Sequence, residues 1–385
     1  MENPFKTKSL GHLQTPSRFC GQYLSAILCS FLAGLFGLCP APAHAAGGVW
    51  RSMGEPGVTA GAARVDSFAV ASNGTPYVCL RDVAGNSGVA VMKHDGIRWS
   101  VAGGGGLGGN NAEASLALSA DGTPYVASSD AGENGGRATV RRFDGTNWIT
   151  VGGSGFTSGP AGVPSIAILP GGFPCVAYRD GGNGGRLGVL LLDGQSWLPP
   201  GAAGLPTNAV DHPKLAAGPD GWPWVAFQDA GNGNKVSVMR FDGTTWVGVG
   251  AAGFSAGGAA GLSLAFGMDG SAHVAYADQG SSGKATVMRF DGAKWAAVGS
   301  PGFSPGQAAH TSLAIPASGV PWVAFEDGNA GGRASVMTFE GGAWGMAGQT
   351  GFSAGQAVGP ALAFAPGGIA YVACQDLGNA GRASV

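Results

Sequence analysis

The sequence predicts an all-β protein, a closed ring of seven blades that each contain four antiparallel strands. Three observations lead to this prediction. The 385 residues include 73 glycines, a unit of 49 residues recurs along the chain, and the two ends of the repeating region hold complementary parts of one unit. Glycine costs a helix about 1 kcal/mol relative to alanine, so this composition argues against long helices. An apolar fraction of 44% and a formal net charge of −2 argue against disorder.

Residues 1–45 have the features of a secretory signal peptide. Lys6, Lys8 and Arg18 precede an apolar run over residues 23–38, and residues 43–45 form a cleavage site of the small-x-small type. We expect cleavage after Ala45, with an uncleaved anchor as the alternative, although the run is shorter than the roughly 20 residues of a membrane helix. A secreted or periplasmic protein without a membrane segment after cleavage is therefore expected.

The remaining region, residues 46–385, is slightly acidic. It contains 18 basic and 22 acidic residues and lacks the basic stripe of a nucleic-acid-binding protein. Its three cysteines, Cys79, Cys175 and Cys374, occupy different places in the repeat. We therefore expect buried small side chains rather than disulfides, and no nucleic-acid partner.

The repeat is most visible in its tryptophans and aspartates. Seven tryptophans are each 49 residues apart: Trp50, Trp99, Trp148, Trp197, Trp246, Trp295 and Trp344. An aspartate follows nearly the same rhythm: Asp82, Asp130, Asp180, Asp229, Asp278, Asp327 and Asp376. A period of 49 lies in the range of β-propeller blades.

Each unit contains four short β-runs, shown here for the fifth unit. Strand a, residues 263–266, ends at the hairpin signal Asp269-Gly270, and strand b, residues 273–278, ends at the recurring aspartate. A loop rich in Gly and Ser leads to strand c, residues 284–290, and a second Asp-Gly turn leads to strand d around Trp295. The strands show little polar alternation, which indicates sheets covered on both faces, as in stacked blades.

The ends of the repeating region predict how the ring closes. The last unit stops inside strand c at Val385, whereas the region after the signal peptide opens with a strand d around Trp50. We expect the N-terminal strand to complete the last blade, giving seven blades without a free edge strand. An open β-solenoid is the alternative, and it explains the tryptophan and Asp-Gly pattern less well.

The repeat over residues 46–385 resembles tandem repeats of the form PYVAYxD…GKATVMxFDGxxW. These occur in secreted bacterial β-propeller proteins that are largely uncharacterised, so the resemblance implies export and a propeller but no activity. The turn at Asp144-Gly145-Thr146-Asn147-Trp148 also resembles a shortened Asp-box of sialidase-like propellers, although its Gly directly follows the Asp. Asp-boxes are structural turns, so this second resemblance does not imply an enzyme.

The recurring aspartates are followed six or seven residues later by a cation in most units, as in Asp229 and Lys235. Such residues face each other across a hairpin, so a salt bridge or a carboxylate-to-amide turn that braces the loop is expected. Calcium is the alternative, but each loop offers one carboxylate where calcium takes six to eight oxygens. The first unit has Val89 in place of the cation, which makes Asp82 and its neighbour Arg81 candidate ligand-binding residues.

Two positions of the unit vary in a way that a ligand-binding face would show. The residue before the aspartate contributes Arg81, Arg179 and Glu326, and a position near the start of strand a contributes Glu113, His212 and His310. Both lie at the face formed by the b–c and d–a loops, which we call the loop face. Two histidines and a carboxylate are also a metal-ligand set, so a channel metal is an alternative to solvated polar groups.

Aromatic residues in the loops suggest packing and a partner surface. Phe156, Phe254, Phe303 and Phe352 recur in register in the d–a loops, which indicates packing between blades rather than sugar stacking. Phe173 and Trp222 lie on neighbouring a–b turns of the opposite face, where plain turn packing or contact with a protein partner is expected.

These residues favour binding over catalysis. No paired-carboxylate, Ser/His/Asp or phosphate-loop pattern is present, and no cofactor is expected. We therefore predict a secreted binding propeller that holds a glycan or another extracellular ligand on the loop face. The alternatives are a glycan-acting hydrolase or lyase that uses Glu113, Glu326 and the channel histidines, and a scaffold that contacts a protein through Phe173 and Trp222.

Overall fold

The computed structural model describes residues 48–82, 88–104, 106–107, 113–130, 132, 134–201 and 203–385. The predicted signal peptide lies outside these residues. Within the described ranges the chain forms 27 β-strands in seven antiparallel sheets, together with short 3-10 turns and no α-helix. The predicted all-β, seven-bladed fold is confirmed.

The strands of the first four blades are β1 (Ala63–Val70), β2 (Pro76–Asp82), β3 (Val89–His94), β4 (Trp99–Val101); β5 (Glu113–Leu118), β6 (Pro124–Asp130), β7 (Arg137–Phe143), β8 (Trp148–Thr150); β9 (Ala161–Leu169), β10 (Phe173–Asp180), β11 (Arg186–Leu192), β12 (Trp197–Leu198); and β13 (Val210–Ala217), β14 (Pro223–Asp229), β15 (Lys235–Phe241), β16 (Trp246–Gly248).

The strands of the last three blades are β17 (Ala259–Phe266), β18 (Ala272–Asp278), β19 (Lys284–Phe290), β20 (Trp295–Ala297); β21 (Ala308–Ala314), β22 (Trp322–Asp327), β23 (Arg333–Glu340), β24 (Ala343–Met346); and β25 (Ala357–Phe364), β26 (Ala370–Asp376), β27 (Arg382–Ser384). A 3-10 turn follows the second strand of blades 3 to 7, at Gly181–Asn183, Ala230–Asn232, Gln279–Ser281, Gly328–Ala330 and Leu377–Asn379.

The first strands of the blades surround a central channel. Each one contacts the first strand of the next blade, and β25 of the last blade contacts β1 of the first, so the ring is closed. Serine hydroxyls join these strands, because each accepts a hydrogen bond from a backbone amide of the next blade at 2.9–3.3 Å. The serines of this ring are Ser67, Ser115, Ser165, Ser263 and Ser312.

The recurring tryptophans join successive blades near their outer strands. Each of the seven indole Nε1 groups donates to a backbone carbonyl of the preceding blade, at 2.7–3.1 Å. Four of the rings also stack on the phenylalanine of a d–a loop, with centroids 3.9–4.7 Å apart. The predicted packing of Phe156, Phe254, Phe303 and Phe352 is therefore confirmed.

Glycine is required where the chain passes under a tryptophan ring. Gly152 has φ +70°, and a Cβ placed on it would lie 2.5 Å from Nε1 of Trp197. Part of the high glycine content therefore serves the close approach of neighbouring blades.

The N-terminal segment takes the place of a fourth strand in blade 7. The sheet itself has three strands, β25 to β27, and Met53 N donates to the carbonyl of Val385 at 2.7 Å. The Trp50 indole donates to Ala347 of blade 6 and stacks on Phe352, as the tryptophans of other blades do. The N-terminal segment therefore closes the ring as predicted, although the backbone pairing is shorter than in the other blades.

The core lies between the blades and is apolar. Cys79, Cys175 and Cys374 are buried free thiols within it, as predicted. Burial raises the pKa of the Cys374 thiol to about 12, so these groups stay protonated at neutral pH. Among the described residues no helix has the length and apolarity to cross a membrane.

Replacement of Trp50 by alanine tests the closure of the ring. The variant loses the hydrogen bond to Ala347 and the stack on Phe352, so we expect the free energy of unfolding to fall by about 3 kcal/mol. Urea denaturation followed by circular dichroism measures the change. Val49→Ala is the control, because Val49 is 59% exposed and its truncation should cost less than about 0.5 kcal/mol. Equal stability of both variants would contradict the closure.

Candidate functional site

The predicted ligand-binding residues Arg81, Glu113, Arg179, His212, His310 and Glu326 all lie at the loop-face ends of the first or second strands of their blades. We call this set the rim. The structure describes the Asp82 backbone as the last residue of β2, but the Asp82 side chain lies outside the described part. The rim residues therefore lie on one face of the ring, at the ends of the two inner strands of their blades.

Both rim histidines occupy a left-handed backbone conformation. His212 has φ 46° and His310 has φ 47°, and each lies in an irregularity of the pairing between the first two strands. Blades 5 and 7 have Gly261 and Gly359 at the same position, with φ 58° and 62°. Residues with a Cβ pay a conformational penalty there, and such strain is commonly found at functional sites.

His310 and Glu326 form the best-defined polar pair of the rim. His310 Nδ1 lies 2.6 Å from Glu326 Oε1, and the amide of Gly359 in the next blade donates to the same oxygen at 3.0 Å. The His310 side chain is 45% exposed, whereas that of Glu326 is only 11% exposed. The buried carboxylate thus fixes an imidazole that remains open to solvent.

Glu113 and His212 make separate contacts. The Glu113 carboxylate accepts from the amide of Val163 in the next blade, which has a positive φ of 47°. His212 Nδ1 lies 3.3 Å from the carboxylate of its neighbour Asp211, and both side chains are exposed. The two rim carboxylates, Glu113 and Glu326, therefore each hold an amide in a different blade.

The two rim arginines differ in accessibility. Arg81 is largely buried and forms a two-point ion pair with Asp66, with Nη2–Oδ1 at 2.8 Å and Nε–Oδ2 at 2.7 Å. Burial raises the pKa of Asp66, although the Arg81 guanidinium opposes the shift. Arg179 is exposed and lies over Gly185 of its own b–c loop. The Arg179 side chain is therefore open to solvent, whereas the Arg81 guanidinium is held by Asp66.

Lys214 is a channel residue that the sequence analysis missed. It occupies the position of the channel serines in blade 4, and the negative charges of Asp66 and Glu113 favour its charged form. Burial nevertheless lowers the pKa of Lys214, because desolvation outweighs the two carboxylates. The sequence contains a signal for Lys214, because a lysine stands where other blades have a serine.

The structure does not favour the channel metal. Among the described residues no group of three His, Cys, Asp or Glu side chains is placed to hold a metal ion. The predicted trio of Glu113, His212 and His310 is divided among blades 2, 4 and 6, and each member contacts a different partner.

The recurring aspartates cap the 3-10 turns of the b–c loops. Their carboxylates accept from the amide two residues later at 2.9–3.1 Å, in Asp180, Asp229, Asp278, Asp327 and Asp376. Lys235 lies directly opposite Asp229, yet among the described side chains no ion pair joins them. Of the two expected roles, the carboxylate-to-amide turn is the one the structure shows.

The opposite face holds the predicted partner residues. Phe173 is 44% exposed, whereas Trp222 is half-buried and packs edge-on against Phe241, with centroids 5.4 Å apart. Trp222 thus contributes to turn packing, and Phe173 is the more accessible of the two.

Two clefts lie away from the rim. One, of about 440 Å³, is lined by Trp50 and Trp322 beside the N-terminal segment. The other, of about 400 Å³, lies between blades 5 and 6 and is lined by His273 and Arg289. Neither includes a rim residue, so the rim is defined by its fixed polar groups and not by cleft volume.

Comparison with known proteins supports the class of fold. The chain matches no protein-family model and no curated protein sequence. It is similar to the solved structure of the SapL1 lectin in complex with α-methyl fucoside, with 18% identity, a TM-score of 0.51, and coverage of 75% of this chain and 96% of that one. A variant of AofleA from Arthrobotrys oligospora shows 10% identity, a TM-score of 0.51, and coverage of 76% and 87%. The fold is that of a β-propeller, and at these identities the likeness concerns the fold alone.

Replacement of Asp327 tests the role of the recurring aspartates. Asp327 is completely buried and accepts from Asn329 N at 3.0 Å and Ser335 Oγ at 2.9 Å. Asp327→Ala leaves these donors without an acceptor, so we expect a loss of about 3 kcal/mol in the free energy of unfolding, measured in urea. Arg333→Ala removes the facing cation and should cost less than about 0.5 kcal/mol. Similar losses in both variants would favour the salt bridge instead.

Lys214→Ser tests whether the channel lysine opposes stability. Serine restores the acceptor that lysine lacks, so we expect the free energy of unfolding to rise by about 1 kcal/mol near pH 7. The lowered pKa of Lys214 means that the cost of its charge is present at neutral pH and disappears as the pH rises towards the unfolded value of 10.5. The advantage of the variant should therefore shrink at alkaline pH. Ala361→Ser, at the same position in blade 7, should give a gain without this pH dependence.

Proposed function

We propose that the protein is a secreted glycan-binding propeller whose ligand lies on the rim. The observation that carries this proposal is the pair of His310 and Glu326, in which a nearly buried carboxylate orients a half-exposed imidazole at the mouth of the channel. This arrangement is suited to binding because the polar group is positioned before a ligand arrives.

The imidazole has the hydrogen-bonding capacity that a sugar hydroxyl needs. An ionised carboxylate only accepts, so the contact with Glu326 assigns the proton of the pair to His310 Nδ1. In the neutral ring the other nitrogen is then an acceptor, and in the charged ring it is a donor. A hydroxyl group can serve either form, which favours a polyhydroxylated ligand.

Backbone strain supports the same residue. Gly261 and Gly359 show that this position accepts glycine, which adopts the left-handed conformation without penalty. Histidine at the same place lowers stability and supplies a side chain at the channel mouth.

The fold offers a precedent and the composition limits the alternatives. A lectin of similar fold has been solved in complex with α-methyl fucoside. The slightly acidic chain does not favour a nucleic acid as ligand. The separation of Glu113 and Glu326, each bound to an amide of a different blade, offers no paired carboxylates for glycoside hydrolysis.

A glycan array with His310→Gly tests the proposal. We expect the wild-type protein to retain specific spots and the variant to lose at least 90% of the signal, since it lacks the imidazole. Thermal denaturation should show equal or slightly higher stability, because glycine suits the backbone at φ 47°.

Val163→Gly is the matched control. It relieves the same backbone conformation in blade 3 but removes no polar side chain, so its array pattern should equal that of the wild type. An array without bound glycans would contradict the proposal and favour the protein scaffold, for which Phe173 would be the first residue to replace. Loss or alteration of spots during incubation would instead indicate an enzyme.

A further inference from the structure

The contact between blades 5 and 6 departs from the repeat on the face opposite the rim. Near the start of the second strand, five of the other blades have a large aromatic residue: Tyr77, Tyr125, Trp224, Trp322 and Tyr371. Blade 5 has His273 there, which pairs with Arg289 of the third strand as Trp224 pairs with Arg240. Blade 5 therefore keeps the cation of the repeat and replaces its large ring with a smaller one.

Blade 6 has also lost the residue against which that ring would pack. At the two flanking interfaces the indole packs edge-on against a phenylalanine of the next blade, in the pairs Trp224–Phe266 and Trp322–Phe364, with centroids 5.3 and 5.4 Å apart. The corresponding residue of blade 6 is Ile315. Both members of the aromatic pair are thus replaced by smaller side chains at the same interface.

A cleft of about 400 Å³ lies at this interface. Its lining includes His273 and Arg289 from blade 5, and Ser318, Pro321 and Phe339 from blade 6. Small-molecule sites in proteins have volumes of about 300–1,000 Å³. The cleft between blades 5 and 6 can therefore admit a ring of the size that the repeat places at the flanking interfaces.

The guanidinium of Arg289 is held in the wall of this cleft by residues of its own blade. Its Nη2 lies 2.6 Å from Asp269 Oδ2, and its Nε donates to Ser271 Oγ at 3.1 Å. In blade 4 the equivalent Arg240 lies over the ring of Trp224, 5.9 Å from the centroid. A planar ring in the cleft can meet Arg289 by the same cation–π contact, and the guanidinium is positioned before that ring arrives.

His273 supplies a hydrogen-bond acceptor to the same wall. Its Nδ1 lies 3.1 Å from the carbonyl oxygen of Ser271, which only accepts, so Nδ1 carries a proton. Burial lowers the pKa of His273, so the ring is neutral at pH 7 and Nε2 is an acceptor. Among the described residues no group donates to Nε2, although His273 is only 5% exposed. A ligand with an N–H or O–H group would satisfy this buried nitrogen.

We infer that the cleft between blades 5 and 6 binds a small planar aromatic compound with a hydrogen-bond donor on its edge, which donates to His273 Nε2 while the ring lies beside Arg289 and Phe339. The ligand takes the place of the ring that the repeat supplies at the flanking interfaces. This site lies on the face opposite the rim and is a second binding activity beside the proposed glycan binding.

Titration calorimetry with indole as the probe tests the inference. Benzofuran is the matched control ligand, because it has the shape of indole but no N–H group. We expect about one indole bound per chain, and roughly tenfold weaker binding of benzofuran, which cannot donate to His273 Nε2.

His273→Trp restores the residue of the repeat and fills the cleft. The new indole has a partner, since Asp269 stands where Asp220 accepts from Trp224 Nε1 at 3.2 Å in blade 4, so we expect the variant to fold. Its affinity for the indole probe should fall at least tenfold. Tyr125→Trp is the matched control, because it introduces the same residue at the same position of blade 2, and its affinity should equal that of the wild type.

His273→Phe separates the ring from the acceptor, and it decides the test if circular dichroism shows that His273→Trp does not fold. We expect this variant to bind indole and benzofuran equally. Failure of the wild type to bind indole, or equal affinity in the wild type and a folded His273→Trp, would overturn the inference. Equal affinity of the wild type for indole and benzofuran would overturn it too. The titrations contain no glycan, so their result is independent of the array.

Discussion

Hydrogen bonds between neighbouring blades are the constraint on which the structure depends. Each blade is a sheet with two apolar faces, so it is stable only when the next blade covers it. Apolar contact alone has little directionality. The tryptophan indoles on the outer strands and the serine hydroxyls on the inner strands fix the position of each blade against the next. Trp50 extends the outer series to the last blade, and the ring closes through the N-terminal segment.

The same repetition explains why the loops are rigid enough to display side chains. Each buried aspartate caps a 3-10 turn, and in blades 5 and 7 it also accepts from an amide of the d–a loop. The two loops of the loop face are thus held by one carboxylate. Side chains at the ends of the strands, such as His310 and Glu326, are consequently positioned by the surrounding strands and loops and not by a ligand.

The sequence was sufficient to predict most of the fold but only part of the site. The spacing of the tryptophans revealed both the number of blades and the role of Trp50, because one repeated contact imposes one repeated residue. The pair of His310 and Glu326 was predicted only as two separate candidates, since their contact depends on an irregularity in the pairing of β21 and β22 between Ala309 and Ser312. The ion pair of Asp66 and Arg81 was missed for a similar reason, because the pairing of β1 and β2 is irregular between Val65 and Ser67.

Lys214 shows what a repeat can reveal about function once its structural role is known. Serine at this position is explained by an amide of the next blade, so an exception to serine requires a separate reason. In blade 7 the exception is Ala361, which simply lacks the hydroxyl. In blade 4 it is a charged side chain with a lowered pKa, on the same strand as the strained His212. Strand β13 thus combines a strained histidine with a charge at the serine position, and neither side chain takes part in the hydrogen bonds that join the first strands of the blades.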